Sequence, residues 1–341
     1  MSNKARFAVV TIIGVVLLGL VLVRVDLRQM IDTLRSANYV YLLPALAAQM
    51  AFFLVKALRW RYLFPAERRI GFGALFSATL IGYFGNQIIG ASSGELLRSI
   101  VLGQKGSWSK SATLGTVFVE KMWDLLVLCL FLLALLWVVP LPPLVQTVGQ
   151  AGLLALLIGA LLLFVLLSRS HWATRLVTVI TTRLSPRLAQ RVVGTLERFI
   201  EGVRALQEWR RSLLALLLTV PLWLLLAVSF YWLGKAALIP LSLGAYVFPV
   251  VVIALAASIP NPPWNVGMLE ILSIGSLGVF GVASGEALAF VVLMRAMRLV
   301  PIIWGYVLFS REGFGLRAQP QASAETAPLE LEHPAAGQPP P

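Results

Sequence analysis

The sequence between residues 85 and 98 is polar and glycine-rich, although long apolar runs flank it on both sides. Glu95 and Arg98 are three residues apart, which places both on one helix face, where a carboxylate and a guanidinium can pair. The same segment carries residues that hydrogen-bond or permit a sharp turn: Asn86, Gln87 and Gly94. Backbone freed by a turn stays unpaired in hydrocarbon unless it faces protein or a wet cavity. The segment therefore predicts a polar cavity that binds a charged group or carries protons.

Two carboxylates outside this segment also lie beside apolar runs, where ionisable side chains usually face a cavity or a partner. One is Glu120, which shares a helix face with Asp124 four residues later. This pair either belongs to a site or forms a headgroup-level cluster that ends a helix. The other is Glu270, which follows a proline-rich break and is either a site residue or a carboxylate at the outer surface.

Two arginines, Arg295 and Arg298, fall one third to one half of the way along the last apolar run. At that depth the side chains cannot easily reach the headgroups. We therefore expect them to pair with Glu95 and Glu270 or to bind an anionic ligand, of which a lipid phosphate matches the guanidinium fork.

Composition excludes an ordinary soluble domain, because 59% of the residues are hydrophobic and only 13% are charged. The formal net charge is +13, but the basic residues crowd between the apolar runs, as signals of membrane orientation do. They indicate no nucleic-acid partner. With one cysteine and two distant histidines, no disulfide, no His/Cys metal site and no cofactor is predicted.

The apolar runs predict spans at Phe7–Val23, Tyr39–Val55, Met122–Val139, Gly149–Leu167, Leu213–Leu233 and Ala287–Phe309. Basic residues after Val55, among them Lys56 and Arg59, predict a cytoplasmic loop. The segment Ser168–Arg211, with nine arginines, is also expected to be cytoplasmic, either lying along the membrane surface or as a solvated charged helix. Both chain termini are then cytoplasmic.

Phe72–Lys105 must begin and end in the cytoplasm, yet its 34 residues are too few for two crossings of about 20 residues each plus a turn. It predicts a re-entrant hairpin with the polar segment at its tip. The later runs Leu243–Ile259 and Met268–Val282 flank a break at Pro260–Gly267 that cannot continue a helix. They form either two full spans or a second hairpin entering from the opposite face, which we favour because inverted broken helices build central transporter sites.

The expected fold is therefore an all-α polytopic membrane protein with about six to eight transmembrane helices and two re-entrant or broken helical hairpins of inverted orientation. Residues 1–312 would form one helical transmembrane domain. The tail 313–341, rich in Pro, Ala, Gln and Glu, is expected to be disordered.

Three motifs in order resemble the lysylphosphatidylglycerol synthase transmembrane-region family, also called flippase-like integral membrane proteins. They are Asn86–Arg98 with its Gly94-Glu95 pair, Glu120-Lys121-x-x-Asp124, and Pro260–Glu270 with Pro263 and Gly267. Gly90 and Ser92 stand where the family often has a proline and a basic residue, and Trp264-Asn265 replaces a glycine pair. The resemblance covers the membrane part, and we expect no soluble aminoacyl-transferase domain like that of the bifunctional enzymes.

The resemblance implies a bacterial or archaeal inner-membrane protein related to the half that flips lysyl-phosphatidylglycerol, or to proteins that handle polyprenyl- or dolichyl-phosphate sugars. The leading hypothesis is a translocase of an anionic or phosphate-bearing lipid. No catalytic residue is assigned. Together with the motif positions, the binding residues would be Asn86, Gln87, Gly94, Glu95, Arg98, Glu120, Asp124, Pro260, Pro263, Gly267, Glu270, Arg295 and Arg298.

Two other functions stay open: a membrane-embedded transferase acting on a lipid-linked substrate, and an accessory subunit of a lipid-modifying complex. Against the transferase, the sequence has no phosphate-binding Gly-rich loop ending in Lys-Ser/Thr and no histidine near the polar stretches. This favours a transporter over an enzyme. Two Gly-x-x-x-Gly patterns, Gly90–Gly94 and Gly281–Gly285, permit close helix contacts and would allow a homo-oligomer.

Overall fold

The structure, a computed structural model, describes residues 3–65, 70–90, 93–104, 109–138, 208–257 and 263–312, with isolated positions between 143 and 158. Within these residues the regular structure is helical. Ten α-helices have both ends within the described residues: α1 (Asn3–Arg24), α2 (Leu27–Ser36), α3 (Leu42–Tyr62), α4 (Phe72–Ile88), α5 (Ser93–Gln104), α6 (Lys110–Val138), α7 (Trp209–Ala236), α8 (Leu243–Ala256), α9 (Met268–Gly278) and α10 (Ser284–Arg311). Short 3₁₀ turns lie at Tyr39–Tyr41 and Pro263–Asn265.

Three helices of the described part, α3 with its preceding turn, α7 and α10, are long and apolar enough to cross a membrane. Helices α3 and α7 pack against each other, and Ser229 Oγ donates to the Ala45 carbonyl at 2.9 Å. Helix α10 packs as closely on α4, because a Cβ at Gly305 would lie 2.4 Å from the Leu80 carbonyl oxygen. The chain is an all-α polytopic membrane protein, as its sequence predicts.

Two helical hairpins lie between these spans. Helices α4 and α5, with 17 and 12 residues, are about 25 and 18 Å long, and α8 and α9, with 14 and 11 residues, are about 21 and 16 Å long. Each is shorter than the hydrocarbon core of about 30 Å. The two predicted hairpins are therefore present as broken helices, and none of their four arms is long enough for a full crossing.

The first hairpin closes through contacts that need small residues. Asn86 Oδ1 accepts the Gly94 backbone N–H at 2.8 Å, which ties the end of α4 to the start of α5. Ser93 Oγ donates to the Gly85 carbonyl at 2.8 Å. A Cβ at Gly94 would lie 2.0 Å from the Gly82 carbonyl oxygen. The glycines thus let two helix backbones touch inside one hairpin.

The second hairpin turns through three residues in the left-handed region: Trp264 at φ 60°, Asn265 at φ 52° and Gly267 at φ 80°. Gly267 also lies against α1, since a Cβ there would be 2.3 Å from the Gly14 carbonyl oxygen. The turn Pro263–Asn265 contacts α4. The tips of the two hairpins therefore meet.

Two helix boundaries differ from the prediction by seven residues or more. Helix α3 continues to Tyr62 instead of ending at Val55, and α6 begins at Lys110 instead of Met122. The expectation of a loop directly after Val55 was wrong, because Lys56 and Arg59 are paired with carboxylates of the protein and the helix continues through them. The predicted span Gly149–Leu167, most of the segment Ser168–Arg211 and the tail lie outside the described residues.

Candidate functional site

A polar cavity of about 280 Å³, called the chamber here, lies where the hairpin tips meet. Its volume is close to the lower end of small-molecule sites, about 300 Å³. The first hairpin contributes Asn86 and Gln87, the second contributes Asn265, and the long helices contribute Lys56, Asp124 and Arg298. Residues more than 200 positions apart in the chain therefore surround one polar space.

Beside the chamber, one buried carboxylate binds three cations. Glu120 is 1% exposed, and its oxygens lie 2.8 Å from Lys56 Nζ, 3.0 Å from Arg59 Nη2 and 2.7 Å from Arg98 Nη2. These cations come from α3 and from α5, whereas Glu120 lies on α6. Glu120 does not end a helix, because α6 begins ten residues earlier, and it forms its cluster with cations of two other helices.

Arg59, which is fully buried, links this network to Asp124. Its Nη2 donates to Asp124 Oδ2 at 3.1 Å, and its Nη1 also donates to Thr219 Oγ1 at 3.0 Å. Trp223 Nε1 donates to Asp124 Oδ1 at 3.0 Å. Glu120 and Asp124 share the face predicted for them, and that face binds α3 and α7.

Arg98 lies between a carboxylate and an aromatic ring. Its guanidinium carbon is 3.7 Å from the centroid of the Trp60 ring, and its Nη2 donates to Glu120. The Trp60 ring is held in turn, because its Nε1 donates to Thr116 Oγ1 at 3.0 Å. This stacked and paired geometry is the one in which arginine is hardest to replace.

The expected pairing of Glu95 with Arg98 is wrong. Glu95 instead pairs with Lys121, at 2.7 Å between Oε1 and Nζ, while Arg98 pairs with Glu120. Glu95 lies on α5 and Glu120 on α6, and each pairs with a cation of the facing helix. Lys121 is 57% exposed, so the Glu95 pair lies at the chamber mouth.

The second hairpin has its own ion pair. Arg295 Nε donates to Glu270 Oε1 at 2.8 Å, and its Nη1 donates to the Trp264 carbonyl at 3.0 Å. Glu270 Oε2 accepts the Gly267 N–H at 2.8 Å and so caps the start of α9. The predicted Glu270–Arg295 pair is confirmed, and it fixes the break in its left-handed conformation against α10.

Arg298 lines the chamber, and no carboxylate of the described residues pairs with it. The one hydrogen bond of its guanidinium in that part of the chain joins Nη2 to Met294 Sδ at 3.5 Å. Thioether sulfur is a weak acceptor. The expected carboxylate partner for this residue is thus absent from the described part, and a guanidinium with unused donors faces a polar space.

Two neutral amides line the same space. Gln49 and Gln87 are 6% and 8% exposed, and each has an Oε1 atom without a hydrogen-bond partner in the part of the chain described. A buried amide left unpaired is costly, so such groups usually bind water or a ligand. Both amides can therefore hydrogen-bond to a polar group that enters the chamber.

Several predicted site residues maintain the backbone geometry around the chamber. Gly94 and Gly267 permit close backbone contacts, and Asn86 closes the first hairpin while lining the chamber. Pro263 lies in the second turn. Pro260 lies outside the described residues. Within the described residues, no three His, Cys, Asp or Glu side chains are grouped as metal ligands would be.

Sequence reasoning missed Lys56 and Arg59 as members of the site. A signal was present, because Gln49, Phe52, Lys56 and Arg59 recur at intervals of three and four residues and therefore share one helix face. Trp223 of α7 was missed as well. It lies four residues after Thr219, and therefore on the same side of α7, which faces the ion pairs of Arg59 and Asp124. All of these residues contact the chamber or its ion pairs.

The family model described as Lysylphosphatidylglycerol synthase TM region matches residues 6–305. This range includes both hairpins, the chamber and every predicted binding residue. No curated protein and no solved structure matches the chain.

Proposed function

The chain belongs to the lysylphosphatidylglycerol synthase transmembrane-region family, and from that premise we propose that it is a lipid translocase. Its substrate is an anionic or phosphate-bearing lipid, of the phospholipid or polyprenyl-phosphate type. The chamber takes the headgroup while the hydrocarbon chains stay in apolar surroundings. The protein resides in a bacterial or archaeal inner membrane, with both termini in the cytoplasm.

The observation that carries this proposal is the guanidinium of Arg298. It lines the chamber and lacks a carboxylate partner among the described residues. A charge inside a membrane protein is costly unless a partner or ligand neutralises it. A guanidinium binds phosphate through two parallel hydrogen bonds. A lipid phosphate beside Arg298 would supply the missing partner.

The charge balance around the chamber supports an anion. Five cationic side chains of the described residues line the chamber or lie beside it: Lys56, Arg59, Arg98, Lys121 and Arg298. Three carboxylates neutralise part of their charge: Glu95, Glu120 and Asp124. Two positive charges therefore stay uncompensated. A phosphate group carries charge of the opposite sign, whereas a neutral or zwitterionic headgroup would leave the excess in place.

The broken helices support translocation over simple binding. Each hairpin is tied to a long helix by an ion pair, Glu95–Lys121 for the first and Glu270–Arg295 for the second. Rigid-body movement of one hairpin would open the chamber to one side while the other hairpin keeps it closed, which is how transporters with paired broken helices alternate access. The Glu95–Lys121 pair, with Lys121 exposed, is the one that water reaches and weakens.

The test is lipid movement in proteoliposomes of phosphatidylcholine that contain a trace of NBD-labelled phosphatidylglycerol. Dithionite bleaches the label in the outer leaflet only, so bleaching beyond that fraction measures translocation. We expect the natural protein to expose the inner-leaflet label and Arg298→Gln to abolish this activity. A second set with an NBD-labelled polyprenyl phosphate distinguishes the two substrate types.

The matched control is Arg311→Gln, the same substitution on the same helix at an exposed position away from the chamber. Its translocation rate should equal that of the natural protein. Failure of the natural protein to move either probe, or equal rates for Arg298→Gln and Arg311→Gln, would refute the proposal.

A further inference from the structure

A second, apolar space begins one helical turn from the chamber. This groove has a volume of about 720 Å³, within the range of lipid- and drug-sized sites. Helix α6 contributes Phe131 and Leu135, α7 contributes Leu224, α8 contributes Val247, and Phe280 follows α9. Apart from Ser242, the side chains that line it carry no polar group.

The groove continues the chamber along two helices. On α6, Asp124 and Leu128 line the chamber, and Phe131 and Leu135 line the groove at the next positions of the same helix face. The eleven helical steps from Asp124 to Leu135 rise about 16 Å. That length is about half of the hydrocarbon core, the depth of one leaflet.

Helix α8 repeats this order. Ala254 and Val250 line the chamber, and Val247, one turn earlier, lines the groove. Trp223 of α7 lies at the junction, where its Nε1 donates to Asp124 at 3.0 Å while its ring packs in the apolar cluster of the groove. An indole with one wet edge and one apolar face suits a boundary between headgroup and hydrocarbon.

We propose that the groove binds a hydrocarbon chain of the same lipid whose anionic headgroup occupies the chamber, an inference that rests on the proposed function. Lipid tails are as apolar as the groove, so the groove adds little affinity. It instead keeps the chain out of the wet chamber when the headgroup leaves the membrane surface. Because the groove begins one helical turn from the chamber, one lipid molecule can fill both spaces, with its phosphate beside Arg298 and its hydrocarbon chain in the groove.

The direct test is photo-crosslinking in nanodiscs with two diazirine-tailed lipids, one phosphatidylglycerol and one phosphatidylcholine of equal chain length. Mass spectrometry of the cross-linked peptides reports labelling at Phe131, Val247 and Phe280. We expect the phosphatidylglycerol probe to label the groove severalfold more than the phosphatidylcholine probe, and Arg298→Gln to remove that excess. Equal labelling by the two probes, or an excess that survives Arg298→Gln, identifies ordinary annular lipid and overturns the inference.

Steric closure of the groove provides a second, functional test. Gly244 lines the groove and has open space where a Cβ would stand, as Gly275 does on the exposed side of α9. Gly244→Trp should slow translocation of long-chain phosphatidylglycerol severalfold, and Gly275→Trp should not. Ala134→Phe, which narrows the groove from α6, should act like Gly244→Trp.

The two proposals fail in different ways. If the groove variants translocate lipid at the rate of the natural protein while Arg298→Gln is inactive, the hydrocarbon chain of the lipid does not use the groove. The translocase proposal then stands. If the natural protein moves no probe, the translocase proposal fails. In that case selective labelling of the groove would show lipid binding without transport.

Discussion

Glu120→Gln should be among the most destabilising single substitutions in the described part of the protein. The substitution keeps the size of the side chain and removes the charge that faces Lys56, Arg59 and Arg98 at 3.0 Å or less. Arg59 would keep Asp124, and Lys56 is partly exposed, so water can reach it. The cost therefore falls mainly on Arg98.

The magnitude follows from the burial of Arg98. Its remaining contact would be the face of Trp60, at 3.7 Å from the guanidinium carbon. Leaving one partner of a buried ion pair uncompensated typically costs about 3–5 kcal/mol. Glu95→Gln removes the same charge from a pair whose lysine is 57% exposed. Exposed pairs contribute about 0–1 kcal/mol, so this second variant is a matched control.

The assay is unfolding in detergent followed by tryptophan fluorescence and by the monodisperse fraction after heating. Glu120→Gln should lose several times more free energy of unfolding than Glu95→Gln. Adding Arg98→Met to Glu120→Gln should recover part of the loss, because it removes the uncompensated cation. Equal losses for the two glutamine variants, or no recovery in the double variant, would contradict the ion-pair network described for this site.

Three further predictions use the unfolding assay, the lipid assay and limited proteolysis. Arg298→Gln should leave the unfolding midpoint unchanged or higher while it abolishes translocation, because within the described residues its guanidinium makes one hydrogen bond, to sulfur. A lowered midpoint would instead indicate a structural role. Gly94→Ala should prevent closure of the first hairpin and lower the unfolding midpoint, since its Cβ would lie 2.0 Å from a carbonyl oxygen. Gly275→Ala, where a Cβ meets open space, should not lower the unfolding midpoint. Similar midpoints for the two variants would contradict the close contact at Gly94. Gly267→Ala combines a φ of +80° with a Cβ 2.3 Å from the backbone of α1, so limited proteolysis should release α1 faster than in Gly275→Ala.

The sequence predicts the architecture well where local chemistry decides it. The breaks at the hairpin tips follow from glycine, proline and asparagine, which cannot continue a helix at those densities. The 34 residues of the first hairpin are also too few for two crossings, whereas the sequence leaves full spans open for the second, and its arms of 14 and 11 residues in the structure decide for a hairpin. The pair Glu270–Arg295 is also predictable, since each charge lies at a depth where a partner is needed.

The ion pairs around Glu120 are harder to predict, because charge alone does not reveal depth. Lys56 and Arg59 look like a cytoplasmic signal after an apolar run, and only the facing carboxylates, 65 positions away for Arg59 and Asp124, show that the helix continues. Likewise, spacing favours Glu95 with Arg98, yet helix packing gives each a partner on or beside α6. Contacts between distant elements outweigh local spacing here.

The central claim is that an anionic lipid headgroup enters the chamber and binds Arg298. The most direct measurement is a cryo-electron microscopy structure of the protein in nanodiscs rich in phosphatidylglycerol. The account predicts density for a phosphate within hydrogen-bonding distance of the Arg298 guanidinium, between the two hairpin tips. Lipid density confined to the outer surface of the helices, with only water beside Arg298, would contradict it.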